Sequence, residues 1–251
     1  MSDFISVENI TKSFVLTKKQ MKQKSLDTNK LIAVDNLSFS LQKGELFGLL
    51  GSNGAGKTTT LRLLSSMLSP DKGKIIVDGR DIHENLYAYK KQMGFLTNEL
   101  KFDGYFTPDY LYDYFSGLYN IDSESAKKRK SMLFEKFGIS SFSHLKINEL
   151  STGMKQKVSL VLSIVHDPQI IIYDEPTNGL DIIAAKVVED YLQELHAEGK
   201  TIILSTHILS LAQKLCDRIL IIKDGKALCG GDIKSICATQ SLDDYFFTNY
   251  K

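Results

Sequence analysis

Gly51-Ser52-Asn53-Gly54-Ala55-Gly56-Lys57-Thr58 is a complete phosphate-binding loop, and its flanks fix the surrounding fold. Three glycines let the backbone curl with its N–H groups turned inward, where Cβ atoms would otherwise collide. Such amides, together with the positive end of a following helix, suit the α- and β-phosphates of a nucleotide. Lys57 has the reach for the β- and γ-phosphates, and the Thr58 hydroxyl suits Mg²⁺. The flanks agree. Glu45-Leu46-Phe47-Gly48-Leu49-Leu50 has the composition of a buried strand, and Lys57-Thr58-Thr59-Thr60-Leu61-Arg62-Leu63-Leu64 opens a helix. The pattern predicts a chain that binds a nucleoside triphosphate.

Outward from the loop, two kinds of strand are legible. Leu37-Ser38-Phe39-Ser40-Leu41 alternates apolar and polar, as a half-buried antiparallel strand does. Lys74-Ile75-Ile76-Val77-Asp78-Gly79 follows a Ser-Pro-Asp-Lys-Gly turn and is assigned to the same edge sheet. Ile170 to Tyr173, Thr201 to Leu204 and Ile219 to Ile222 are unbroken apolar runs, expected of central parallel strands. Between the first two, Ala184, Val187, Val188, Tyr191, Leu192 and Leu195 recur at helical spacing and Gly199 closes the run. That is a βαβ crossover, and the fold class is α/β. Residues 99–165 show no strand pattern and many aromatics, which predicts an all-helical insertion. There Tyr110, Leu111, Tyr114, Phe115 and Leu118 share one helical face, and Tyr112 and Tyr119 lie off it. Two readings stand: a well-packed subdomain with that face as core, or a docking surface for a partner protein.

The bulk numbers narrow the class. A chain of 251 residues with 43% hydrophobic and 24% charged residues suits one substantial globular domain. Basic and acidic residues number 31 and 30, so charge gives no reason to expect a nucleic-acid partner. The stretch Met1 to Glu8 has acids and no apolar centre, unlike a secretory signal, and no apolar run is long enough to span a bilayer. Cys216, Cys229 and Cys237 lack metal-site spacing and are expected as plain thiols in a reducing cytosol. Lys18, Lys19, Lys22, Lys24 and Lys30 carry no apolar pattern between them, as a solvated hairpin loop would.

A phosphate loop by itself leaves several enzyme classes open. Gln169-Ile170-Ile171-Ile172-Tyr173-Asp174-Glu175 is an apolar strand ending in two carboxylates. Asp174 is placed to help hold Mg²⁺, and Glu175 to polarise the water attacking the γ-phosphate. Upstream, Leu150-Ser151-Thr152-Gly153-Met154-Lys155-Gln156-Lys157 opens a helix with Ser151 as N-cap. A GTPase is disfavoured because no Asn-Lys-x-Asp segment follows the loop.

Taken in order along nearly the whole chain, these segments resemble the ATP-binding cassette family, the ATPase subunits of ABC transporters. Leu150 to Met154 matches the family signature, Asn178-Gly179-Leu180-Asp181 the D-loop, Ser205-Thr206-His207 the switch histidine, and Phe14 the aromatic that stacks on adenine. The resemblance implies a P-loop NTPase parallel-sheet core with an N-terminal antiparallel β subdomain and an inserted α-helical subdomain. It implies a single domain over 1–251, with core segments 1–98 and 166–251 and the helical signature subdomain at 99–165.

It implies ATP and Mg²⁺ as cofactors and roles for particular residues. Gly51 to Thr59 hold phosphate, Thr58, Asp174 and Asn98 serve the metal, and Lys57, Glu175 and His207 serve catalysis. Ser151 and Gly153 close over ATP held by a second subunit, identical or not. An integral-membrane permease is the other implied partner, which would hold the cassette at the inner face of the cell membrane. Two positions depart from the pattern: Asn98 stands where a glutamine is usual, on a shorter arm, and Met154 replaces the signature's terminal glutamine. Thr152 replaces a glycine, while Gly153 remains. The stretch Met93 to Asn98, the signature and the tail Ser241 to Phe247 look most like single-cassette bacterial exporter subunits, including sodium-extrusion types. The alternative is a soluble cassette ATPase, or an ATP-dependent regulatory module, attached to no transporter.

Overall fold

The computed structural model describes residues 3–18, 21, 29–97 and 102–250. Asn98, Lys19, Lys22, Lys24 and the first two residues, to which the sequence assigns roles or patterns, lie outside the described residues. In chain order the elements are β1 (Ile5–Val15), β2 (Lys30–Leu41), β3 (Leu46–Leu50), α1 (Lys57–Leu64), β4 (Lys72–Val77), β5 (Arg80–Asp81), α2 (Leu86–Lys91) and β6 (Met93–Leu96). Then come α3 (Pro108–Leu118), α4 (Ser123–Lys136), α5 (Thr152–Ser163), β7 (Ile170–Asp174), α6 (Ile182–Ala197) and β8 (Thr201–Thr206). The last are α7 (Leu209–Leu215), β9 (Arg218–Lys223), β10 (Lys226–Asp232), α8 (Ile233–Cys237) and α9 (Leu242–Asn249). The chain divides into two compact units, Met1–Leu86 with Ser205–Lys251, and Tyr87–Leu204.

In the first unit β2-β1-β4-β5 forms an antiparallel sheet. Ile5 sits between Leu41 and Val77, and the alternation read at 37–41 is realised, with Leu37 and Leu41 buried and Ser38 exposed. β3 is buried at every residue and pairs in parallel with β9, Phe47 against Arg218 through Leu50 against Ile221. A strand covered on both faces needs no polar alternation, which is why its sequence is unbroken Leu and Phe around one glycine. β9 returns as β10 through Asp224-Gly225, both at positive φ (50 and 78), the two-residue turn whose twist matches a hairpin.

In the second unit β6 and β7 pair in parallel, Met93 against Ile170 through Leu96 against Tyr173. α6 buries Ala184, Val188, Tyr191, Leu192 and Leu195, the periodic set read from sequence, with Val187 half-buried. Asp181 caps its N-terminus by accepting from the Ala184 amide at 2.8 Å. The described residues between 102 and 165 hold helices and a short 3₁₀ turn and no strand, as expected of the insertion.

The structure divides the face of Tyr110, Leu111, Tyr114, Phe115 and Leu118, for which core and docking surface both stood. α3 buries Pro108, Leu111, Tyr112 and Ser116, while Tyr110 and Tyr114 are each 50% exposed and Leu118 57%. Tyr112, fully buried, sets its ring edge-on to Phe134 of α4 at 5.5 Å. Tyrosine serves either side of a helix, so aromatic spacing does not tell inside from outside.

Free Cys216 is buried, and Cys229 and Cys237 are partly so. Among the described residues no helix is long and apolar enough to cross a membrane.

His166 follows α5 with its ring stacked on Tyr119 at 3.9 Å and its Nε2 against the Met93 carbonyl oxygen at 3.2 Å. Burial pushes its pKa from 6.5 down to about 4, a shift to which nearby Arg129 and Lys200 add and Asp167 runs counter. The unfolded chain therefore binds a proton that the folded one refuses. The neutral ring's stabilising effect is complete above about pH 6.5 and is lost as pH falls toward about 4. Urea denaturation of wild type and His166→Gln across that window is expected to show wild-type stability dropping more steeply; parallel slopes would contradict the assignment.

Candidate nucleotide-binding site

The predicted residues fall into one set in each unit. In the first, β3 delivers the chain to Gly51 and α1 carries it away from Gly56. Both glycines are forced by contact with neighbouring backbone. A Cβ on Gly51 would lie 2.4 Å from the Ile222 carbonyl oxygen, and one on Gly56 (φ +108) 2.5 Å from that of Ala33. Lys57 is buried, its Nζ donating to the Gly51 and Ser52 carbonyl oxygens at 2.7 and 3.2 Å. The ammonium thus lies inside the curl of its own loop. Thr58 and Thr59 are half-buried in the first turn of α1, whose N-cap is Gly56 and which has no side-chain cap. An uncapped N-terminus following a glycine-rich curl is a site for an anion. Ser52, Asn53 and Gly54 form the exposed rim, and Ala55 is buried. Phe14 is half-buried on β1 opposite Leu31 of β2, and His207 is exposed just after β8, whose Ser205 and Thr206 are buried.

Sequence reasoning missed one support of this set. Gly225, in the β9–β10 turn, donates its amide to the Ala55 carbonyl oxygen at 2.9 Å and accepts from the Asp35 amide at 2.9 Å. The Asp224-Gly225 pair was readable as a hairpin turn. What it props was not, because the contact spans most of the chain.

The second set centres on the end of β7. Asp174 is buried at the last strand residue, and Glu175 follows at φ 51. A left-handed glutamate is uncommon and marks a constrained position. The turn it enters is closed by the Asn178 amide donating to the Glu175 carbonyl oxygen at 3.0 Å. Gln156 of α5, another unanticipated support, donates its side-chain amide to the Pro176 carbonyl oxygen at 3.3 Å. Ser151 caps α5 as expected, accepting from the Met154 amide at 3.2 Å, and is exposed. The signature and D-loop segments lie close: a Cβ added at Gly153 would stand 3.6 Å from the Gly179 carbonyl oxygen.

A buried lysine in a glycine-lined loop, an uncapped helix end and a strand closing in paired carboxylates are the parts of a phosphoryl-transfer enzyme. Residues 34–178 match the family described as "ABC transporter". The chain belongs to the ABC transporter family. It is 35% identical over 232 residues to the ABC transporter ATP-binding protein NatA of Bacillus subtilis, covering 92% of this chain and 94% of that one. It is 37% identical to the Nod factor export ATP-binding protein I of Burkholderia pseudomallei, covering 80% of this chain and 66% of that one. Among solved structures, the ATP-binding subunit of an ABC transporter superposes with a TM-score of 0.84 at 25% identity, covering 99% of this chain and 100% of the other. A dimeric ATP-binding cassette bound to ADP and phosphate shares the fold, with a TM-score of 0.80 at 22% identity over 91% of this chain and 98% of that one. As an ABC cassette, the chain is an ATP-binding, ATP-hydrolysing subunit of the transporter type.

Lys57→Ala is expected to weaken binding of a fluorescent ATP analogue by about ten- to a hundredfold, the cost of losing a charge-assisted contact to phosphate. Unaltered titration curves would remove Lys57 from the site.

Proposed function

We propose that the chain is the motor subunit of an exporter whose membrane-spanning permease is a separate protein, with ions, drugs or peptides as the cargo class. The observation that carries this reading is the preformed phosphate loop holding Lys57 inside its curl. The printed names of relatives support export in particular: a Nod factor export protein and, at 30% identity, a probable multidrug ABC transporter subunit of Escherichia coli. The sodium-extrusion subtype stays within this proposal. So does the division into core segments 1–98 and 166–251 with a signature subdomain at 99–165.

In this mechanism the amides of Gly51 to Thr59 and the Lys57 ammonium neutralise phosphate charge, and Phe14 stacks on adenine. Hard oxygen donors, the Thr58 hydroxyl and the Asp174 carboxylate, fit Mg²⁺, which favours oxygen ligands, and Asn98 is assigned beside them. When bound, the ion would spread charge on the phosphate oxygens. Glu175 accepts the proton of the attacking water as its oxygen bonds to the γ-phosphorus and the bridge to the β-phosphate breaks. The constrained backbone at Glu175 supports a fixed aim for that carboxylate. His207 senses the γ-phosphate.

Two cassettes, identical or not, pair head to tail, so that Ser151 and Gly153 of one close over ATP on the other. Exposed Ser151 at a helix N-terminus supports this, as do Ile182 and Ile183, 89% and 80% exposed beside the D-loop. Cleavage removes the γ-phosphate from the shared surface, and the pair opens. Motion passes to the permease, which holds the cassette at the inner face of the cell membrane. The exposed ring ladder supplies the contact: Phe106 stacks on Tyr110 at 4.9 Å, and Tyr110 on Tyr114 at 6.2 Å. A contiguous aromatic face that the fold leaves uncovered suits a protein partner.

Glu175→Gln is expected to bind ATP normally, to lose about 10²- to 10⁴-fold in turnover and to accumulate a nucleotide-locked dimer by size exclusion. Unchanged turnover would sink its role as base. Tyr110→Ala with Tyr114→Ala is expected to keep ATP affinity yet weaken co-purification with the permease by at least about tenfold. Retained co-purification would place the contact elsewhere.

A further inference from the structure

The rim of the phosphate loop is held by a residue that the family pattern does not include. Tyr250 follows α9, and its Oη lies 2.9 Å from the Ser52 amide nitrogen and 2.7 Å from Ser52 Oγ. The amide donates to Oη, and the two hydroxyls share a further hydrogen bond. One phenol thus takes both the amide and the hydroxyl of the second loop residue.

Tyr250 is itself fixed from several directions. Its ring stacks on Phe246 at 4.6 Å and 14°. Lys223, at the end of β9, donates from Nζ to the Tyr250 carbonyl oxygen at 2.9 Å and lies 5.4 Å from the ring centroid. Behind it, α9 is seated by fully buried Leu242, by Ser241 accepting from the Asp244 amide, and by Tyr245, whose hydroxyl donates to the Gly230 carbonyl oxygen at 3.4 Å. A hydroxyl carried on a ring with this many restraints gives up little freedom when it bonds.

The inner side of the loop has its own supports: Gly225 on Ala55, Lys57 on Gly51, and Thr60 Oγ1 donating to the Gly56 carbonyl oxygen at 3.0 Å. The exposed outer side, Ser52 to Gly54, has Tyr250. With the Ser52 amide given to Oη, phosphate is left to the other amides of the loop, which must be ordered, and order present before binding is not charged against affinity.

We propose that Tyr250 is a positioning residue for nucleotide: its hydroxyl pins Ser52 and so preorganises the outer rim of the phosphate loop, coupling the α9 segment to ATP affinity. This rests on the assignment of the loop as the ATP site.

Tyr250→Phe keeps the ring and its stacking but deletes Oη. It is expected to weaken binding of a fluorescent ATP analogue by about three- to tenfold, the worth of one or two hydrogen bonds. KM for ATP should rise in parallel with kcat changed by less than about twofold, and the unfolding midpoint without nucleotide should fall by no more than about 4 °C. In the Ser52→Ala background, where half the contact is already gone, the same substitution should cost less. Unchanged affinity, tighter binding, full additivity with Ser52→Ala, or an affinity loss accompanied by a midpoint lowered by more than about 4 °C would each overturn the inference. All four leave the site assignment intact as long as the wild type binds the analogue; failure of the wild type to bind would refute the site itself.

Discussion

Backbone pressed against backbone at Gly51 and Gly56 is the constraint on which the site depends. No side-chain carbon fits at either position, since the Ile222 and Ala33 carbonyls already occupy the space. That closeness lets β9 and β2 wall the loop, brings the β9–β10 turn to Ala55, and leaves Lys57 no direction but inward. An ammonium held on two carbonyl oxygens is solvated by the protein. In the role proposed for Lys57, those carbonyls are exchanged for anionic oxygens.

The second carboxylate set obeys a different economy. β7 is sealed on all sides, so its last residue carries Asp174 to the end of a strand that cannot shift, and the chain then leaves in a left-handed step at Glu175. The proline that follows and the glutamine that grips its carbonyl keep that step in place. In the role proposed for Glu175 a base needs a defined direction, and the left-handed step constrains the backbone that carries it.

How much of this was legible in the sequence follows from the range of the signals. Local ones were readable: the glycine spacing of the loop, the unbroken apolar runs of β3, β7 and β9, the cap Ser151, and the alternation in β2. Each is decided within a few residues by sterics or hydrogen bonding. Contacts across the chain were not. The Tyr250–Ser52 pair joins residues 198 apart, and nothing near either one announces the other. The face of α3 stays open between core and docking surface in the sequence for another reason: the spacing is present, but tyrosine obeys it on wet and dry sides alike. Tyr112 took the interior because Phe134 offered its ring an edge-on neighbour.

The same ambiguity of tyrosine has a consequence for the life of the subunit before assembly. A surface of leucine and isoleucine of that extent would drive newly made copies to clump in the cell. Phenols stacked along α3, each tipped by a hydroxyl that hydrogen-bonds to water, tolerate solvent and still offer flat apolar area to a partner of the kind proposed above.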